Sequence, residues 1–454
     1  MKEYTQIKKV TLIPYSINQN DIKLLFYKNK NEDFISLNIN EVTLIDNSPI
    51  FSMARLMTNK FYKILSDEVL NKFNTTNIIE EKYLNLPKKE LVFPDIWDDD
   101  VMIYWLNKIS DNIIQYDDIE NEKIYFIEIP YIKNLDSFNN LLSKLNYFFL
   151  YSNESKINEI KLNSKNEYIQ KLLPQFFSHI KETIELIKNN KREKFIFLLC
   201  KKRGKGELGY FHFSSLFNGL YRTNKEEFII MLSSKELPNE KLLSESKCLI
   251  IPGSDLSVHD KLDFLRQTES FLKQLIEDIL LKGKYPNLKI LGICFGLEII
   301  TTAFKGEIIK QPWSSDACYD IEKIFINKDF FNLDFVKKSK IEKKEFLYIN
   351  EAHSESISKL PKFPKLNIFG YSNSCKYEVL VDDNEKIFLI QGHPEYSPGL
   401  YLCKDIDYFM KINKIEYNDK NKKKFLNYYL NEEKRKKANF ISWRKLCWAF
   451  MKEH

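Results

Sequence analysis

Glycine is absent from the first 203 residues of this chain: all 12 glycines lie between Gly204 and Gly399. Loops that cradle a phosphate on bare backbone need residues with no Cβ, so the first part cannot hold a GxGxxG or Walker A loop. The seven cysteines follow the same division, running from Cys200 to Cys447. Two differently built domains are therefore expected within the 454 residues. The first is an α+β domain over residues 1–190, and the second an α/β domain over 195–454. The boundary is expected near residues 188–194, in the polar run NNKREK.

With 44% hydrophobic and 29% charged residues, the chain has enough apolar mass for sizeable cores and does not have the composition of a disordered one. Its 69 basic and 63 acidic residues balance too closely to suggest a nucleic-acid partner. No run reaches the roughly 20 apolar residues of a membrane span, and MKEYTQIKKVTLIPYS lacks the apolar core of a secretory leader. No two cysteines form a CxxC pair, so no thiolate metal site or redox pair is expected. A reducing cytoplasm with buried thiols is the plain reading.

In the N-terminal part, KKVTLIPYS, IKLLFYK and FISLNI read as short strands separated by polar turns. Residues 54–72 carry helical spacing, EKIYFIEIPYI reads as another strand, and Asn166–Asn190 as a long helix. The order of elements faintly resembles a Nudix fold. A Nudix site needs a glycine and a cluster of glutamates on one helix. The corresponding helix offers Arg55 and Lys60, with only Asp67 and Glu68 near its end. A binding or scaffolding role is therefore expected, and DIWDDD (95–100) reads as a solvated turn.

From residue 195 the pattern becomes strand–helix alternation. FIFLLC, EFIIMLSS and CLIIPGS are apolar runs of the kind buried parallel strands show, and residues 263–282 form an amphipathic helix. LKILGICFGLEIITTAFKG then reads as strand, tight turn and helix, with Cys294 at the turn between Gly292 and Gly296. A sharp strand-to-helix turn displays a nucleophile at the carboxyl end of a sheet, and a following helix N-terminus is expected to lower its pKa. About 100 residues on, KIFLIQGHPEYSP delivers His393 from a strand, with Glu395 two positions later. A histidine can serve the thiol as base, and a carboxylate can orient the imidazole. His212 and His259 read as surface or packing residues, and the basic stretch at 418–440 as a solvated helix face.

On GICFG (292–296) and IQGHPEY (390–396), the region 195–454 resembles the class I glutamine amidotransferase superfamily, most closely its γ-glutamyl peptidase branch. The tail SWRKLCWAFMK and the segment GELGYFHFSSLF are also similar to that branch. The resemblance implies a flavodoxin-like fold with a mostly parallel sheet. It implies Cys294 as nucleophile, His393 as general base and Glu395 as orienting acid. The backbone N–H groups of Phe295 and Gly253 would form the oxyanion hole. EAHSESI (351–357) corresponds to a segment near the substrate, so His353 and Glu355 are expected to line the pocket. Where the family elbow continues with Gln, this chain has Glu298, expected as a carboxylate near the pocket floor that tunes the substrate.

The expected function is cysteine-dependent hydrolysis of a γ-glutamyl amide through a thioester, on a small γ-glutamyl substrate and with no metal or organic cofactor. One alternative is an amidotransferase subunit delivering ammonia to a separate synthetase partner, since the chain has no SGGxDS loop. Another is a binding or regulatory protein with a weak amidase half.

Overall fold

The computed structural model describes residues 9–18, 21–29, 35–36, 39–41, 114–116, 122–128, 147–153, 167–189, 191–200, 225–254, 256–310, 321–351, 353–395 and 440–452. The chain divides into two compact units, the first mainly Met1–Arg192 and the second mainly Glu193–His454. The helix expected over 54–72, the DIWDDD knot, the 206–217 segment with His212, and the basic stretch up to residue 439 lie outside the described residues.

The first unit contains β1 (Lys9–Asn18), β2 (Asp21–Asn29), β3 (Ile35–Ser36), β4 (Ile39–Glu41), β5 (Ile114–Tyr116), β6 (Glu122–Glu128), β7 (Tyr147–Asn153) and α1 (Glu167–Lys188). Its sheet runs β3-β2-β1-β6-β5, with β4 paired to β1 and β7 to β2. Among these described strands, only β1 and β6 are paired in parallel. Leu173, Phe176, Phe177 and Ile180 are buried at the i, i+3, i+4, i+7 spacing of one helix face. Phe176 meets the buried Tyr15 of β1 edge to face, with ring centroids 5.2 Å apart.

The second unit follows an α/β order. It comprises β8 (Glu193–Leu199), β9 (Glu226–Leu232), α2 (Glu240–Glu245), β10 (Ser246–Ile251), α3 (Asp263–Leu280), β11 (Lys289–Ile293) and α4 (Phe295–Ala303). These are followed by β12 (Glu307–Lys310), β13 (Ile321–Ile326), α5 (Asp334–Ser339), β14 (Phe346–Asn350), β15 (Glu355–Lys359), β16 (Leu366–Tyr371), β17 (Val379–Asp382), β18 (Ile387–Ile390) and α6 (Phe440–Lys452). A nine-stranded sheet runs β14-β13-β16-β17-β18-β11-β10-β8-β9, and β12 pairs separately with β15. Its centre, β8-β10-β11-β18, is parallel. An antiparallel wing, β17-β16-β13-β14, continues from β18.

Alternate residues of the central strands feed opposite faces, as the period of two requires. Ile196, Leu198, Leu249, Ile251 and Ile290 join one core with Leu272, Leu275 and Ile276 of α3 and Leu297, Ile299 and Ile300 of α4. Intervening positions meet α6: Phe195 stacks on Trp448, and Phe388 meets Phe450 at 5.3 Å. Trp443 Nε1 donates to the Tyr348 carbonyl at 3.1 Å, which ties α6 to β14. Among the described residues, no helix is long and apolar enough to cross a membrane.

Candidate active site

Strands β10, β11 and β18 lie parallel, so their carboxyl ends share one sheet edge. In open α/β sheets this is the edge at which ligands bind. Gly253 follows β10, Cys294 follows β11, and His393 follows β18. Residues far apart in sequence are thereby brought to one place by strand order alone.

Cys294 takes φ 50° and ψ −108°, a conformation that L residues rarely adopt. The strain is held by its surroundings. Its N–H donates to the Ile390 carbonyl at 2.8 Å, and its own carbonyl accepts from Leu297 and Glu298 in the first turn of α4. The flanking glycines let β10 and β18 close on the turn. A Cβ at Gly296 would lie 2.0 Å from the Ile251 carbonyl oxygen, and one at Gly292 would lie 2.7 Å from Leu389 Cδ2.

His393 is fixed at two points. Its N–H donates to the Asn350 carbonyl at 2.7 Å, and its Nδ1 lies 2.6 Å from Glu395 Oε1. A Cβ at Gly253 would be 2.9 Å from His393 Cε1 and 3.6 Å from Cys294 Cβ, so imidazole and thiol side chain flank the same glycine. Glu395 is fully buried, and Arg444 Nη2 of α6 reaches its carbonyl oxygen at 3.4 Å.

The thiol is not depressed by the helix terminus as the sequence suggested. Burial, and then the carboxylates of Glu298, Glu395 and Glu351, push Cys294 well above the ordinary thiol range against the Phe295 N–H, which lowers it. Nor is Cys294 solvent-exposed; it is 5% accessible. The surroundings of Cys294 thus favour the neutral thiol, and a thiol held in that form needs a base before it can attack.

Glu298 also departs from its expected state. It is buried, its Oε1 accepts from Gln391 Nε2 at 3.1 Å, and burial followed by the Glu355 carboxylate pushes it up to about 8. A carboxyl raised to about 8 favours its neutral form at pH 7, in which it has the shape of a glutamine amide and one O–H donor.

The segment after β14 lies at the same end of the unit. His353 is buried, with Nδ1 2.7 Å from the Glu355 carbonyl oxygen and Nε2 3.2 Å from Glu351 Oε2. Glu355 Oε1 accepts from Ser257 Oγ at 2.5 Å, while its buried Oε2 has no hydrogen-bond partner. His259, by contrast, is exposed. The arrangement also uses residues that the sequence did not single out: Ser257, Asn350, Glu351 and Gln391. Glu351 precedes His353 by two positions and Gln391 precedes His393 by two, so adjacency to the motif residues was the available signal.

Residues 228–406 match the family model described as glutamine amidotransferase class-I. A glutamine amidotransferase-like protein of Schizosaccharomyces pombe is 24% identical over 36% of this chain and 58% of its own length. Gamma-glutamyl peptidase 4 of Arabidopsis thaliana is 28% identical over 48% of this chain and 78% of its own. A GMP synthase (glutamine-hydrolyzing) subunit of Pyrococcus furiosus is 27% identical over 40% of this chain and 86% of its own. The chain thus spans little more than half the length of the Schizosaccharomyces relative, and these alignments cover less than half of the chain itself.

Proposed function

We propose, from the premise that residues 228–406 form a class I glutamine amidotransferase domain, that this chain hydrolyses a γ-glutamyl amide bond through a thioester on Cys294. The observation that carries the reading is His393, held through Nδ1 by Glu395 and set with Cys294 against Gly253 at the carboxyl edge of the sheet.

His393 Nε2 takes the thiol proton as Cys294 Sγ attacks the γ-carbonyl carbon. Because burial and three carboxylates oppose a standing thiolate, the proton leaves as the carbon–sulfur bond forms. The N–H groups of Phe295 and Gly253 receive the developing oxyanion; donors of this kind are typically worth about 3–4 kcal/mol of barrier. His393 returns the proton to the leaving amine nitrogen, and the carbon–nitrogen bond breaks. Water, deprotonated by His393, then attacks the thioester carbonyl; the carbon–sulfur bond breaks, His393 returns the proton to Cys294 Sγ, and glutamate leaves. Glu395 holds the imidazole tautomer and stabilises the imidazolium. Glu298, Gln391, His353 and Glu355 bind the small γ-glutamyl substrate. No step requires a metal or an organic cofactor. A cytoplasmic setting agrees with five described cysteines that are all buried and unbridged.

The likeness to a GMP synthase subunit favours one second reading, in which the same half-reaction delivers ammonia to a separate synthetase. Glutamate release from glutamine, glutathione and other γ-glutamyl peptides, measured on the chain alone, separates the two. Turnover of peptides supports the peptidase. Turnover of glutamine only when a synthetase is added supports the amidotransferase. No release from any of these substrates refutes both.

A further inference from the structure

Near the His393 segment, three carboxylates converge to which the proposed reaction gives no bond-making or proton-transfer role. Glu322 lies on β13, Glu351 directly follows β14, and Glu378 directly precedes β17. One carboxylate oxygen from each lies within 4.8 Å of those of the other two. Glu351 and Glu378 are 2% and 1% accessible. Buried carboxylates normally find a donor for each oxygen. Here Glu351 Oε1, Glu351 Oε2 and Glu378 Oε2 accept no hydrogen bond from an established donor, and the contact between Glu351 and Glu378 becomes a hydrogen bond only if one of them carries a proton. The remaining oxygens are held by serines: Ser372 Oγ donates to Glu378 Oε1 at 2.7 Å, and Ser374 Oγ to Glu322 Oε2 at 2.6 Å.

The charge of this group is poorly met. Among the described residues, His353 is the basic side chain that faces it, 3.2 Å from Glu351 Oε2. Its Nδ1 must carry the hydrogen, because the Glu355 carbonyl can only accept. His353 thus offers at most one positive charge against three carboxylates. Isolated buried charges are costly, and proteins neutralise them with protons or a metal.

We infer that Glu322, Glu351 and Glu378 form a binding site for one oxygen-preferring divalent cation of the Mn²⁺, Mg²⁺ or Ca²⁺ class. Such ions bind carboxylate oxygens at roughly 2.0–2.6 Å, so oxygens up to 4.8 Å apart can share one ion. Three hard ligands with no thiolate select this class over soft metals. Glu322 is only partly buried and offers the entry route. The ion would be structural. It joins β13, β14 and β17 beneath the Asn350 carbonyl that anchors the His393 N–H. Glu351 Oε1 also packs against Gly392, where a Cβ would come within 2.4 Å.

The test is Mn²⁺ titration of the full chain after EDTA treatment, near pH 8, followed by electron paramagnetic resonance of free Mn²⁺ and by melting temperature. The expected result is one Mn²⁺ per chain, a raised melting temperature, competition by Mg²⁺ or Ca²⁺, and at least tenfold weaker binding in Glu322→Gln and Glu351→Gln. Should Glu351→Gln fail to fold, the partly buried Glu322→Gln and the anomalous signal of a Mn²⁺-soaked crystal decide. Three results each overturn the inference: no binding by folded wild-type chain up to about 1 mM Mn²⁺, binding unchanged in Glu322→Gln, or an anomalous peak away from these glutamates. The first leaves protons shared among the carboxylates as the neutralising species. None of these readouts depends on γ-glutamyl hydrolysis.

Discussion

Replacing Glu298 with Gln removes a buried ionisable group while keeping its shape and its contact with Gln391. Raising a carboxyl from its ordinary 4.5 to about 8 corresponds to a penalty on the order of 5 kcal/mol against the ionised form. The folded-state pKa is raised, so the folded form binds the proton more tightly than the unfolded one. The protein is therefore most stable, as far as this group is concerned, below pH 4.5. That stability is lost as pH rises through 8. Glu298→Gln should melt like the wild type near pH 4.5 and increasingly above it as pH rises. By pH 8.5 the gain should be several kcal/mol, or on the order of 5–10 °C for a unit of this size. The assay is thermal melting of the two proteins across pH 4.5–8.5. A difference that stays constant over that range would refute the reasoning, because it would mean that Glu298 does not change its protonation on folding.

Three further outcomes are expected. Gly296→Ala drives a methyl to 2.0 Å from the Ile251 backbone carbonyl, so it should cost about 3 kcal/mol or more and abolish activity; a stable, active variant in a denaturation series would contradict the packing described at the elbow. Cys294→Ala and His393→Ala should each lower kcat by several decades because they act as a unit, whereas Glu395→Gln should cost less; steady-state kinetics that rank Glu395→Gln as the most damaging would sink the assignment of roles. A chain beginning near residue 192 should retain hydrolysis, since the proposed site lies between residues 253 and 395; a folded but inactive truncation, checked by circular dichroism, would show that the first unit contributes.

The second unit was legible because its signals are local and redundant. Apolar runs mark β8, β10 and β18, and the glycines around Cys294 mark the elbow at which three strands converge. His393 and Glu395 are two residues apart, so their 2.6 Å contact could be foreseen from spacing. What the sequence could not convey was charge in three dimensions. The helix terminus behind Cys294 argued for a lowered thiol pKa, yet burial first, and then Glu298, Glu395 and Glu351 reaching it from α4, the β18 edge and the β14 edge, reverse the direction. Glu298 read as a carboxylate because nothing local reveals that burial and Glu355 hold its proton in place. The same blindness hid the grouping of Glu322, Glu351 and Glu378, which come from β13, the residue after β14 and the residue before β17. In the first unit, β1, β2, β6 and α1 matched their patterns, but β7 pairs with β2 across more than 100 residues and carries no signal of that partner in its own sequence.

The central claim, covalent catalysis at Cys294, is tested most directly by mass spectrometry after incubation with a diazo-ketone analogue of glutamine. The account predicts one glutamyl-sized adduct, on Cys294 and on none of the other six cysteines, with glutamate release lost in step with labelling. Cys200, Cys248, Cys375 and Cys447 should stay unmodified: burial raises all five described thiols, and it is Cys294 whose side chain flanks Gly253 together with the His393 imidazole. An adduct on another cysteine, or continued release of glutamate by the Cys294→Ala protein, would contradict the account.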